Sequence, residues 1–411
     1  MSNRPSVPGS ESLLGPEAQA FIQEQQVRAY RKIGVALGLG SDAVKTHAHL
    51  SGRVMPAEHV SPEKFRRELA AEGIQLSPDQ SAQLDRNIAD IHAKYYSAGA
   101  PTPFEDPNRY PTLAMIFDGL HADLSAKGQR ISPRPHLATL PSGNVDARVL
   151  LEPKTRAPII FFERGLFQFF YDFVLIAGWA VPPLSLQQLS NDAALAELPP
   201  RYLMPQEAPG YFSASLYAYV VEGSPALKRS PIPRPSHNLF APVFLLEHME
   251  RFVMAHELAH ITLGHLNKAP AVEDEYEADA RGFEIVSTLA HQQAGSWSMG
   301  YWAVDLALVA LNFLYRALGL MAFGPQKLRW ISASHPDPLA RRQRLRAVAQ
   351  GGRAPAIGLA AANGLSSMTE AIFQRLWEMS LPGLYEAYQH GARPFPIWKD
   401  LITHAFAPHA A

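Results

Sequence analysis

The sequence predicts an α+β fold that is mainly helical, with a small sheet ahead of a central helix. Three observations carry that expectation. Apolar residues recur at helical spacing over the first hundred residues, two β-branched and aromatic runs lie between 147 and 162, and helical patterning dominates from Val243 onward.

Residues 1–10 have the polar, Pro- and Gly-containing composition of a flexible leader. From Pro16 to Ala98, Phe21, Ile22, Val27, Tyr30, Ile33 and Leu37 fall on one helical face, and Ile88, Ile91 and Tyr95 repeat the pattern. Ser77-Pro78-Asp79-Gln80 has the form of a helix start, with Ser77 as cap and Pro78 in the first turn. Proline-rich loops follow at Pro101–Pro111 and Ser132–Pro135. Next come Ala147–Leu151 and Ala157–Phe162, two strands joined by a polar turn at Glu152–Arg156. A helix is expected from Gly165. The stretch from Pro182 to Pro235 is rich in proline and reads as a loop-like insertion without regular structure. Helices then run to the end, with a break at Gly351-Gly352. The expected divisions are an N-terminal helical region (1–135), a central domain (136–350) carrying the 182–235 insertion, and a C-terminal helical region (351–411). Phe373, Leu376, Trp377, Leu384, Tyr385 and Tyr388 in the last of these read as core.

The 411 residues are 47% hydrophobic and 18% charged, a globular composition, and 37 Lys+Arg against 38 Asp+Glu give no general attraction to nucleic acid. The basic run Arg341-Arg342-Gln343-Arg344-Leu345-Arg346 has helical spacing and reads as a solvated helix face. With no cysteine, a metal must be held by His and carboxylates. The N-terminus lacks the apolar core of a signal peptide, so a cytoplasmic location is expected. The apolar stretches Pro158–Val181 and Met299–Phe323 are interrupted by charges, and both are expected to be buried in protein rather than to span a membrane.

His256-Glu257-Leu258-Ala259-His260 carries the chemistry. A helix advances about 100° per residue, so His256 and His260 lie one turn apart on one face and can converge on a single tetrahedral ion. Glu257, beside the first ligand, can instead reach a water in the open coordination position. Zinc needs a third protein ligand. Metzincin spacing would require glycine at 263 and histidine at 266; leucines stand at both positions. His265 lies about 140° around the helix from His260 and reads as a capping or surface histidine. A turn at Asn267–Ala271 brings a second helix, starting near Val272, back alongside His260. Glu275 is then placed as the third ligand, with Glu277 in reserve, and Asp279 can accept a hydrogen bond from the outer nitrogen of a ligand histidine.

These residues resemble the gluzincin metallopeptidases, most closely the family of the CAAX prenyl proteases and the HtpX and BepA proteases. The likeness rests on His256-Glu257-x-x-His260, on Glu275-x-x-x-Asp279, and on Ser334-His335-Pro336 followed by Arg341-Arg342. It covers about Asn144 to Ala349. It implies a zincin-like catalytic core, one Zn²⁺ per chain, and Glu275 as third ligand. It also implies a place for His335 near the metal, as oxyanion stabiliser or reversible fourth ligand, with Arg341 or Arg342 anchoring Asp279 or the His-Pro loop.

The expected activity is therefore zinc-dependent endopeptidase hydrolysis of a protein or peptide substrate, with Glu257 as general base. An extended substrate is expected to pair with an edge strand around Ile159–Phe162. Two alternatives stand beside it: a regulatory protease with a single intracellular target, resembling the ImmA/IrrE type or the phage-exclusion protease Lit, and a non-catalytic zinc-stapled interaction module. Retention of Glu257 argues against the module.

Overall fold

The computed structural model describes residues 15–36, 61–71, 75–96, 101–106, 109–129, 131–198, 204–223, 232, 240–325, 328–330, 336–352 and 354–408. The leader at 1–10 and Ser334-His335 lie outside the described residues. The fold is mostly helical with a small three-stranded sheet.

Helix α1 (Pro16–Ala36) lies on the sheet, burying Ala18 and Ile22 against Ile159 and Phe161. Helices α2 (Pro62–Ala71) and α3 (Pro78–Ile91) follow. Ser77 caps α3 through a reciprocal box, its hydroxyl accepting from the Gln80 N–H while the Gln80 side chain accepts from the Ser77 N–H. Helix α4 spans Tyr110–Ala126.

The sheet has the order β1 (His136–Leu140), β3 (Pro158–Glu163), β2 (Ala147–Leu151), with β1 parallel and β2 antiparallel to β3. The β2–β3 hairpin matches the two-strand reading. Its placement corrects one expectation: Ile159–Phe162 is the fully buried central strand, and the edge belongs to β2. The proline-following strand β1 occupies the other side, where its Thr139 carbonyl accepts from Gln26 of α1.

Helix α5 (Arg164–Ala180) leaves β3 directly. Within 182–235 the structure contains helices α6 (Leu186–Leu189), α7 (Asp192–Ala196) and α8 (Ala208–Val220), which corrects the loop reading. Pro209 sits in the first turn of α8, where the missing N–H costs no intrahelical bond. Phe212, Leu216, Tyr219 and Val220 then bury one side of α8 in an aromatic cluster with Phe169, Phe173 and Phe373.

The helical half comprises α9 (Phe240–Thr262), α10 (Val272–Ala294), α11 (Trp297–Phe323), α12 (Pro338–Gly351) and α13 (Ala356–Gln389). A short helix α14 (Lys399–Ala405) and a two-stranded pairing of β4 (Leu328–Trp330) with β5 (Phe406–Pro408) complete it. Helix α9 is central, packing against α10, α11, α5 and α4, and touching β2. Among the described residues only α11 is long and apolar enough to cross a membrane; it is largely buried in protein, and its Asp305 pairs with Arg342. Helix α13 packs along α11, burying Phe373, Leu376, Trp377 and Leu384 in the same core.

Candidate metal centre

Two helices build the centre. Helix α9 ends at Thr262, and Gly264 with φ 75° takes the left-handed conformation that stops it. One 3₁₀ turn at His265–Asn267 and a short connection lead into α10, whose start is fixed by the Asp274 carboxylate accepting from the Ala271 N–H. The two helices pack closely. A Cβ on Gly282 would stand 3.1 Å from the His256 backbone nitrogen, so glycine there admits the approach that brings the acidic first turns of α10 onto α9.

The approach joins three of the predicted residues. His256 Nε2 and His260 Nε2 lie 3.1 Å apart, and Glu275 Oε2 and Oε1 lie 3.4 Å and 3.6 Å from them, respectively. Ligand atoms about 2.0–2.1 Å from an ion in tetrahedral geometry stand about 3.3 Å from one another. The separations lie near that value, though the two imidazoles meet different Glu275 oxygens, and the three residues could hold a metal ion. Two imidazoles and a carboxylate, with no cysteine in the chain, suit zinc among other borderline divalent ions.

Asp279, one turn beyond Glu275, places Oδ1 3.0 Å from His256 Nδ1. The distance is that of an ion pair, but Nδ1 has no aligned hydrogen-bond acceptor, so the contact is chiefly electrostatic here. Arg341 grips the same carboxylate through two bonds of 2.7 Å and 2.6 Å. Of the two candidate arginines, Arg341 therefore anchors Asp279. Arg342 pairs with Asp305 instead, at 2.6 Å and 2.9 Å. The basic run is thus a solvated face only in part: Arg341 and Arg342 are turned inward to buried carboxylates, while Gln343 and Arg344 are exposed, Arg344 lies over the Tyr276 ring, and Arg346 reaches Glu370 and Ser366.

The electrostatics follow from this packing. Burial alone would lower the His256 imidazole, but the Asp279 and Glu275 carboxylates outweigh it and lift it to about 10. His260 is pushed down to about 4 by burial and by the charge of His256. Burial opposes ionisation of Glu275, yet His256 and Arg341 hold its carboxyl well below the usual range. Glu257 is buried and is raised to about 8, chiefly by desolvation, with His256 opposing and Glu275 adding to the rise.

Two expectations about neighbouring acids and histidines need revision. His265 is neither a surface residue nor a cap. It is 6% exposed, with Nδ1 3.0 Å from His260 Nδ1 and Nε2 3.1 Å from Glu277 Oε2. Glu277 accordingly faces His265 rather than the three-donor cluster. Helical phase misplaced His265 because the helix stops before it; the glycine at 264 was the readable signal.

The cluster lies on a cavity of 530 Å³ that also takes in Glu257. The edge strand contributes Ala147–Leu150, α5 contributes Leu166 and Phe170, and Phe252, Leu311, Tyr315 and Pro336 close other sides. Comparison of the chain with protein-family models, with curated proteins and with solved structures finds no match.

Proposed function

We propose that the protein is a zinc-dependent endopeptidase of gluzincin type. The observation that carries this reading is the convergence of His256, His260 and Glu275 at ligand spacing on a cavity that also exposes the buried carboxyl of Glu257.

His256, His260 and Glu275 would hold the ion. A zinc ion so held supplies a Lewis acid that acidifies a water and polarises a peptide carbonyl, and its charge favours the ionised form of Glu257. Glu257 takes the proton of the attacking water at its carboxylate and delivers it to the nitrogen of the leaving amine, so the carboxylate is regenerated with each turnover. Asp279, held by Arg341, keeps negative charge beside the His256 ring and favours the orientation with Nε2 toward the ion.

The outer edge of β2 supports an extended substrate. It borders the cavity, and no strand pairs with it among the described residues. A peptide added there would gain main-chain hydrogen bonds. Leu166, Phe170, Phe252 and Leu311 form apolar walls that suit a large apolar side chain next to the cleaved bond.

The test is digestion of a mixed peptide library by zinc-loaded wild type and by Glu257→Gln, read by mass spectrometry. Wild type should cut beside large apolar residues. The variant should keep its zinc and lose about 10²–10⁴-fold in rate, the usual worth of a positioned acid–base group. Turnover by the variant near the wild-type rate would remove Glu257 from the mechanism.

A further inference from the structure

We propose that His265 is a positioning residue that sets the tautomer and ring orientation of His260, and that Glu277 completes this relay. The inference rests on the reading of His256, His260 and Glu275 as a metal centre.

The two ring nitrogens of His260 face opposite ways. Nε2 looks toward His256 and Glu275, while Nδ1 lies 3.0 Å from His265 Nδ1. The rings meet nearly edge to face, with centroids 5.2 Å apart at 69°. On its far side His265 Nε2 lies 3.1 Å from Glu277 Oε2 and 3.8 Å from Asp274 Oδ1. The left-handed Gly264 makes this possible by ending the helix, so that the chain turns His265 back onto the ring it would otherwise have passed.

With both histidines neutral, one distribution of protons satisfies every contact. A carboxylate can only accept, so His265 Nε2 carries the hydrogen and donates to Glu277. His265 Nδ1 then has a lone pair and accepts from His260 Nδ1–H. His260 Nε2 is left with its lone pair directed at the three-donor cluster, the form a metal requires. The opposite tautomer of His260 would set two Nδ1 lone pairs against each other and aim a proton at the ion's place. His265 thus orients His260 through a hydrogen bond, whereas Asp279 acts on His256 chiefly through its charge.

A second ion held by His265, Asp274 and Glu277 is the competing use of these residues. The surroundings oppose it. The Lys268 ammonium sits 2.5 Å from Asp274 Oδ1, and Asp274 Oδ2 accepts the Ala271 N–H, so both Asp274 oxygens are already engaged. Lys268 already holds the Asp274 carboxylate that such an ion would need.

The experiment is zinc affinity and stoichiometry by chelator competition on the full chain, for wild type, His265→Phe and His265→Asn. The relay predicts one zinc per wild-type chain and an affinity about 10–100-fold weaker in the Phe variant, the usual worth of such a partner. The Asn variant should recover most of the loss, because its side-chain oxygen can accept where Nδ1 did. Ring ¹⁵N shifts of zinc-loaded wild type should show His260 protonated at Nδ1 and His265 at Nε2, a readout that needs no variant to fold. Equal zinc affinity in wild type and His265→Phe, or the reverse tautomers, would overturn the relay alone. Two zinc ions per chain, one lost with His265, would replace it by the second-ion site. Wild type that takes up no zinc would overturn the metal centre itself, and the relay with it.

Discussion

Arg341 and Arg342 are neighbours on α12, and each closes a two-pronged pair on a buried aspartate, yet the pairs serve different ends. One step of about 100° around the helix turns them toward different partners. Arg341 reaches Asp279 of α10, whose carboxylate also lies beside His256. Arg342 reaches Asp305 within apolar α11, where Ser366 of α13 donates to the same carboxylate at 2.6 Å. One pair extends the candidate metal centre; the other ties three helices together. The chemistry of a buried arginine–carboxylate pair therefore does not reveal its role, and what else the carboxylate touches does.

The largest expected effect comes from the fold-tying pair. Asp305→Ala removes the buried partner of Arg342, leaving it only the more exposed Glu370 at 2.9 Å, and should cost about 3 kcal/mol of stability by chemical denaturation. The folded fraction should bind zinc with wild-type affinity. Asp279→Asn removes the charge that faces both Arg341 and His256, so zinc affinity should fall about 10–100-fold. If both variants bind zinc alike, the contrast between the pairs is broken. The smallest effect should come from Arg→Lys, which keeps charge and loses the planar fork. Arg342→Lys should cost roughly 1–3 kcal/mol of stability with zinc affinity unchanged, whereas Arg341→Lys should also weaken zinc by a few fold. A loss of zinc affinity in Arg342→Lys as large as that in Arg341→Lys would show that the pairs are not separable.

What the sequence revealed and what it hid divide along contact range. His256 and His260 were legible because a single helix fixes their geometry, and Glu275 because the connection between the helices is too short to carry it away. The β2–β3 hairpin was legible for the same reason. Strand order was not: β1 inserts beside β3 across the hairpin and makes Ile160 central, and nothing local to Ile159–Phe162 signals that neighbour. Arg341 and Arg342 looked solvated because their aspartates lie 62 and 37 residues away. Helix α8 was obscured by reading Pro209 as a breaker when it opens the helix. His265 was hidden by extrapolating helical phase past Gly264, a boundary the glycine itself announced.

The most direct test of the centre is metal content by mass spectrometry in purified wild type beside His256→Ala and Glu275→Ala. The account predicts about one zinc per wild-type chain and its loss or sharp reduction in both variants, because a three-ligand site loses an essential donor in each. A wild-type chain that carries no zinc and cannot be loaded with it would contradict the account.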